Sequence, residues 1–215
     1  AGQIADNGAA AFSTGFNYVV GKSSPVRIVH GGDDATVYDD IVASEQEYNN
    51  GIYEPSQEGF ISVIGARSKI WAGDMSRTSA LGDSSEIRLS YISEPTIEDC
   101  SISNAIAFTA GELSRITADE IVKDSVLLAG GKGTLIDDSG HGNTVICTGN
   151  ESDINVGDNA LMIFTKNKCS FSMGLGAVAV FCWNNNGRQE VTVAREGENE
   201  IMAGNGYSFE NGKIT

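Results

Sequence analysis

Imidazole, thiol and paired carboxylate are the groups with which a chain of this make-up would catalyse a reaction or hold a metal. His30 and His141 are the two imidazoles. Neither falls in an H-x-H or H-E-x-x-H arrangement, so no zinc site is encoded locally. His141 lies in Ser139-Gly140-His141-Gly142-Asn143, whose glycines predict a turn. Cys100, Cys147, Cys169 and Cys182 follow no C-x-x-C spacing, and four thiols in a chain of this length do not make a disulfide framework. They read as buried free cysteines. Carboxylates are plentiful but come as adjacent doublets: Asp33-Asp34, Asp39-Asp40, Glu98-Asp99, Asp119-Glu120 and Asp137-Asp138. Neighbours on a strand point to opposite faces, so a doublet is not an acid/base pair. A glycosidase pair would need carboxyls about 5–10 Å apart across a cleft. There is no G-x-S-x-G elbow for an acyl enzyme. Gly130-Gly131-Lys132-Gly133-Thr134 lacks P-loop spacing, and Leu135 stands where a calcium nonapeptide needs its Asp. The expectation is a protein with no catalytic set, no metal and no cofactor.

Charge narrows the partners. Lys and Arg number 14 against 29 Asp and Glu, a net −15 in 215 residues. Direct nucleic-acid binding needs clustered cations and is excluded, as is attraction to an anionic membrane surface. The charge is uneven. Residues 1–65 hold nine acids and two bases (−7), residues 111–158 nine acids and three bases (−6), and residues 159–215 five of each. The longest apolar stretch, Leu175 to Trp183, is far short of a bilayer span of about 20 residues. Residues 1–6 read as no signal peptide. The expected location is cytoplasmic, with the virion or cell surface as the alternative.

The elements that must carry these side chains are set by a repeat. Gly-Asp or Gly-Asn recurs at Gly73, Gly82, Gly149 and Gly157, eight or nine residues apart within each pair. A β-branched or apolar residue follows about five positions later: Ile70 after Gly65, Thr78 after Gly73, Ile87 after Gly82, Val145 after Gly140 and Ile154 after Gly149. The beat continues through Ile97, Ile106, Ile116, Val126 and Leu135. A period of 8–10 is too long for a helical face. It fits strands of three or four residues separated by turns, with Gly supplying φ > 0. One such unit cannot bury its own apolar residue, so units must stack. Ala72, Ser76, Ser85, Ala105, Ser114, Ser152 and Ala160 suit a narrow interior. The fold class is therefore all-β: a β-solenoid (β-helix) of 8–10-residue units, two per coil, over residues 65–174. Residues 1–64 form an N-terminal β-rich region with an irregular insertion at about 41–60. Residues 175–215 form capping β-hairpins: Ala177–Trp183 and Glu190–Ala194 flank a four-residue loop, and a shorter hairpin spans Tyr207–Ile214.

The Gly-Asp/Asn-x-Ala/Ser-x-Ile unit, with its closing hairpin and Glu196-Gly197-Glu198-Asn199-Glu200-Ile201, resembles the glycine-aspartate repeat proteins carried by enterobacterial prophages. The resemblance covers about residues 65–214 and implies a phage-linked solenoid without an assigned activity. A solenoid advances about 4.8 Å per coil. One carboxylate per coil on two neighbouring faces would approach the charge density of duplex DNA, about one per 1.7 Å. Function is accordingly expected to be non-enzymatic: binding to a protein, in particular a basic nucleic-acid-handling host factor. The acidic surface expected to serve it comprises Asp33, Asp34, Asp39, Asp40, Asp119, Glu120, Asp124, Asp137 and Asp138. A homo-oligomer is compatible with the fold. The alternative is a tail-fibre or adhesin tip that stacks Tyr48, Tyr53 and Trp71 on surface glycans; a glycan-cleaving enzyme on the same scaffold is a third reading.

Overall fold

The computed structural model describes residues 60–72, 76–89 and 102–215, apart from the side chain of Trp71. It also gives the strand assignments Gln3–Ala5, Ala10–Ser13, Tyr18–Gly21, Arg27–His30 and Thr36–Tyr38. Among these residues every regular element is a β-strand. As far as Lys168–Ser172 the main strands alternate between a 13-stranded and a 10-stranded sheet, each in parallel with the strand one coil later, and the short strands Ile102–Ser103 and Val122–Lys123 add a further column to the 13-stranded sheet. The chain is a β-solenoid with two long sides. Pairing begins at Gln3–Ala5, so the early strands belong to the same two sheets.

Register is kept from coil to coil. In the 10-stranded sheet Phe60, Arg77, Ile106, Val126, Thr144, Leu161 and Val178 stack rung on rung. The coils are thus 17, 29, 20, 18, 17 and 17 residues long. Alternation sends every second side chain inward. The 13-stranded sheet contributes the buried column Ile70–Ile87–Ile116–Ile136–Ile154–Phe171. Its opposite number contributes Ile61–Thr78–Ala107–Leu127–Val145–Met162–Ala179. All seven small residues expected inside are buried.

The turns work differently from the sequence expectation. Gly82, Gly111, Gly131 and Gly149 each sit on the glycine one coil below, and a Cβ on any of them would overlap that glycine's carbonyl. Close approach, rather than φ > 0, makes these positions glycine. The left-handed residue comes two places later: Arg67 (φ 56°), Ser84 (56°), Leu113 (54°), Gly133 (66°) and Glu151 (56°). A buried hydroxyl follows at Ser68, Ser85, Ser114, Thr134 and Ser152. The backbone N–H of Ser68 donates to Ser85 Oγ and that of Ser85 to Ser114 Oγ. In turn Ser85 Oγ donates to the Gly65 carbonyl and Thr134 Oγ1 to that of Gly131. The structural repeat is G-x-x-S/T-x-I. It includes Gly111 and Gly131, which are followed by Glu112 and Lys132 rather than by Asp or Asn.

At the other corner the column Ile102–Val122 gives way to Gly140, Gly157 and Gly174 as the coils shorten. A 20-residue coil has room to turn Val122 inward. In the shorter coils a Cβ at Gly140 would meet the Val122 carbonyl, and one at Gly157 the Gly140 carbonyl.

The C-terminal cap is built from two hairpins. Val178–Asn185 pairs antiparallel with Arg188–Arg195, and Gly206–Glu210 with both Lys168–Ser172 and Lys213–Ile214. The first loop is two residues rather than four: Asn186 and Gly187 have φ of 51° and 90°. Two positive-φ residues give the tight turn whose twist matches that of the strands, so pairing extends to Asn185. Asn211-Gly212 repeats the solution at φ 48° and 83°. Phe209 lies stacked 4.2 Å from Phe181, which in turn is 4.8 Å from Phe164. Trp183 meets the Phe209 ring edge-on.

Candidate functional site

The outward side chains of the 13-stranded sheet form two regular columns. One reads Lys69–Glu86–Arg115–Leu135–Asp153–Ser170, the other Arg88–Thr117–Asp137–Asn155–Ser172. Two ion pairs cross between coils on this side: Arg88–Asp119 at 3.3 Å and Arg115–Asp137 at 3.2 Å. Both are partly exposed, so each contributes little stability, about 0–1 kcal/mol. Their effect on the surface is larger, because they neutralise two of the carboxylates expected to form an acidic stripe.

The remaining acidic candidates divide. Glu120 and Asp124 are exposed at the corner that leaves this sheet. Lys123 shares the corner and lies in register with His141, itself in register with Asp158. Asp33, Asp34, Asp39 and Asp40 lie outside the described residues, as do Tyr48 and Tyr53, while Trp71 is described only as a strand position facing Arg88 across the ladder. The four described candidates on the surface are therefore Asp119, Glu120, Asp124 and Asp137, along one side and its corner.

Asp138 is not on the surface. It occupies an inward position between Ala118 and Val156 and is 3% exposed. Its Oδ1 accepts from the Gly140 N–H at 2.9 Å and from Asn143 Nδ2 at 2.8 Å, while Oδ2 has no partner. Burial pushes its carboxyl above the ordinary range, against the opposing pull of those two hydrogen bonds. Asn143 links it onward: Asn143 Oδ1 accepts from the Ser125 N–H, and Ser125 Oγ from the Ala105 N–H. This is a corner network that satisfies backbone donors, and it explains why half of an acidic doublet is buried.

Cys147 and Cys169 are buried free thiols. Burial drives Cys169 up to about 12, with Cys147 adding to the shift, so neither is a thiolate at neutral pH. A shallow cavity of about 200 Å³ at the cap is lined in part by Cys169, Glu151, Lys168 and Glu210. His141 is exposed, with its Nε2 3.3 Å from Asn159 Nδ2. Lys132, from the glycine-rich stretch, is a turn residue paired with Glu151 at 3.0 Å, which holds its ammonium above the usual value. Among the described residues no three His, Cys, Asp or Glu gather as a metal site, and no helix is long and apolar enough to cross a membrane.

The 10-stranded sheet turns a different surface outward. From Ile106 onward its columns read Ile106–Val126–Thr144–Leu161–Val178–Arg195 and Phe108–Leu128–Ile146–Ile163–Val180–Val193. Sequence reading placed Ile106, Val126 and Leu135 on the inward beat. All three point outward, and their neighbours Ala107, Leu127 and Ile136 fill the core. Where both faces of a strand are apolar, alternation does not say which is inside. No family model, curated protein or solved structure was found to match this chain.

Proposed function

We propose that this chain is a non-enzymatic binding scaffold that works by contact with another protein. The observation that carries this reading is the surface itself: two long sides whose side chains repeat in straight columns, one bearing charges of both signs and one apolar from Ile106 to Val178. Such sides match an extended partner surface rather than a small molecule held in a cleft. The charge selects the partner's chemistry. A net −15 draws a basic partner and steers its approach, and proteins that handle nucleic acid are the basic class that long anionic surfaces engage. The contact belongs on the charged side and its corner, where Glu120 and Asp124 are exposed. Asp119 and Asp137 take part with their arginine partners, and Asp138 does not.

The test is capture from a bacterial lysate, with duplex DNA as competitor. A captured protein that DNA displaces, and that elutes as salt rises from about 0.05 to 0.2 M, fits this reading. Glu120→Lys with Asp124→Lys should weaken capture about tenfold without unfolding the protein. Capture indifferent to DNA, salt and both substitutions would overturn it.

A further inference from the structure

We infer that the outward face of the 10-stranded sheet is the interface of a homodimer, closed by a second copy of this chain packed face to face.

The strand sequences already carry the signature. Those of the 13-stranded sheet alternate: Glu-Ile-Arg-Leu at Glu86–Leu89 and Arg-Ile-Thr-Ala at Arg115–Ala118. Four neighbouring strands of the 10-stranded sheet do not: Ile-Ala-Phe-Thr, Val-Leu-Leu-Ala, Thr-Val-Ile-Cys and Leu-Met-Ile-Phe. Unbroken apolar strands are the mark of a parallel sheet covered on both sides, whereas alternation marks one side in water. Here the inner side is covered by the solenoid core and the outer side is bare. Ile106, Leu161 and Val193 are 37%, 36% and 44% exposed.

Charge singles out the same face. A third column, Ala110–Gly130–Thr148–Thr165–Cys182–Val191, runs beside the two apolar ones. Over the five rungs from Ile106 to Val178 no charged side chain stands in the three columns; Arg77 lies on the rung before them and Arg195 on the rung after. Two copies of a −15 chain repel on any charged approach, so the uncharged face is where they can meet. The area suffices. Five rungs about 4.8 Å apart and three columns about 6.8 Å apart make an uncharged patch of roughly 500 Å². Beyond it the Val193 rung and the rungs bearing Phe60, Ile64 and Leu81, all exposed, bring the side towards the roughly 800 Å² per partner of a stable interface, with Arg77 and Arg195 as the charged residues at its edges. A lone patch of this size is at the upper end for a monomer surface. Stacked sheets pack about 10 Å apart with strands some 30° off parallel. A two-fold axis through the middle rungs sets Ile146 and Ile163 against their own copies. The proposed contact with a basic protein uses the other side, so the two readings stand or fall separately.

Sedimentation or light scattering of the purified chain should give twice the 22.6 kDa protomer mass, with dissociation in the micromolar range or below. Because apolar contact must overcome like charge, added salt should tighten the dimer; an ion-paired interface would loosen. Ile146→Lys with Ile163→Lys should weaken association at least about 100-fold. Both side chains point away from the core, so circular dichroism should be unchanged. Thr117→Lys with Asn155→Lys, on the opposite side, should leave the dimer intact. A wild-type chain that stays monomeric at about 0.1 mM in high salt, well above a micromolar dissociation constant, would overturn the inference. So would a dimer that survives both lysines at Ile146 and Ile163.

Discussion

Asp138 is the residue at which acidity and packing conflict. Its carboxyl, buried and raised above the unfolded value near 3.8, keeps its proton to higher pH in the folded state. Stability from this group is therefore greatest below the ordinary carboxylate range. It declines as pH rises through that range and levels off once the folded group has ionised. Asp138→Asn retains an acceptor for Gly140 and Asn143 and removes the ionisation. Its melting temperature should gain on that of the wild type as pH rises from about 4 towards 7, a trend that thermal melts at a series of pH values would read directly. Gly131 presents a steric case. Gly131→Ala sets a methyl into the Gly111 carbonyl, and should cost about 3 kcal/mol, or roughly 6–12 °C in a chain this long. Ser114→Ala deprives the Ser85 N–H of its acceptor and should cost about 1 kcal/mol by denaturant titration. Single residues were partly legible beforehand. Small side chains at fixed phase marked the interior correctly, because only a narrow coil demands them so often. The reason for each glycine was not legible, since close approach and φ > 0 leave the same letter in the sequence.

Strands and hairpins were more legible than residues. A turn signal every eight to ten positions fixed element type, and the apolar hairpin near the C-terminus marked the end of the stack. Facing was harder. In Glu86–Leu89 the polar residues point out and the sequence says so, whereas in Val126–Ala129 every residue is apolar and the sequence is mute. The cap shows what an element contributes beyond its own pairing. Phe209 is fully buried against Phe181, closing the last coil with aromatic area where earlier coils use isoleucine. Phe209→Ala should cost about 3–5 kcal/mol. Because each coil touches only its neighbours, the loss should appear first as faster amide exchange in Lys168–Ser172 and Val178–Asn185, with Glu86–Leu89 protected longest.

At the scale of the molecule, a solenoid could be read from the period alone, while the division of its surface could not. Net charge was visible in the composition, but its placement depends on register. Pairing with Arg88 and Arg115 mutes Asp119 and Asp137, and inward facing removes Asp138. Among the described residues one side is thus charged and the other apolar between Arg77 and Arg195. Sensitivity to salt should be opposite for the two, loosening a partner held on the first and tightening self-association on the second.

Two coils run well beyond their neighbours: Thr36 pairs with Lys69 and Arg77 with Ile106, 33 and 29 residues on, yet the ladder resumes in register each time. In both the surplus falls after a strand of the 13-stranded sheet and before the next strand of the other. Loop-closure entropy grows only with the logarithm of length, so each excursion costs well under about 1 kcal/mol relative to a 17-residue coil. That corner is a tolerant port for guest sequence. Foreign peptides spliced there in a regular coil would be displayed at a chosen height along the rod, with the ladder above and below undisturbed.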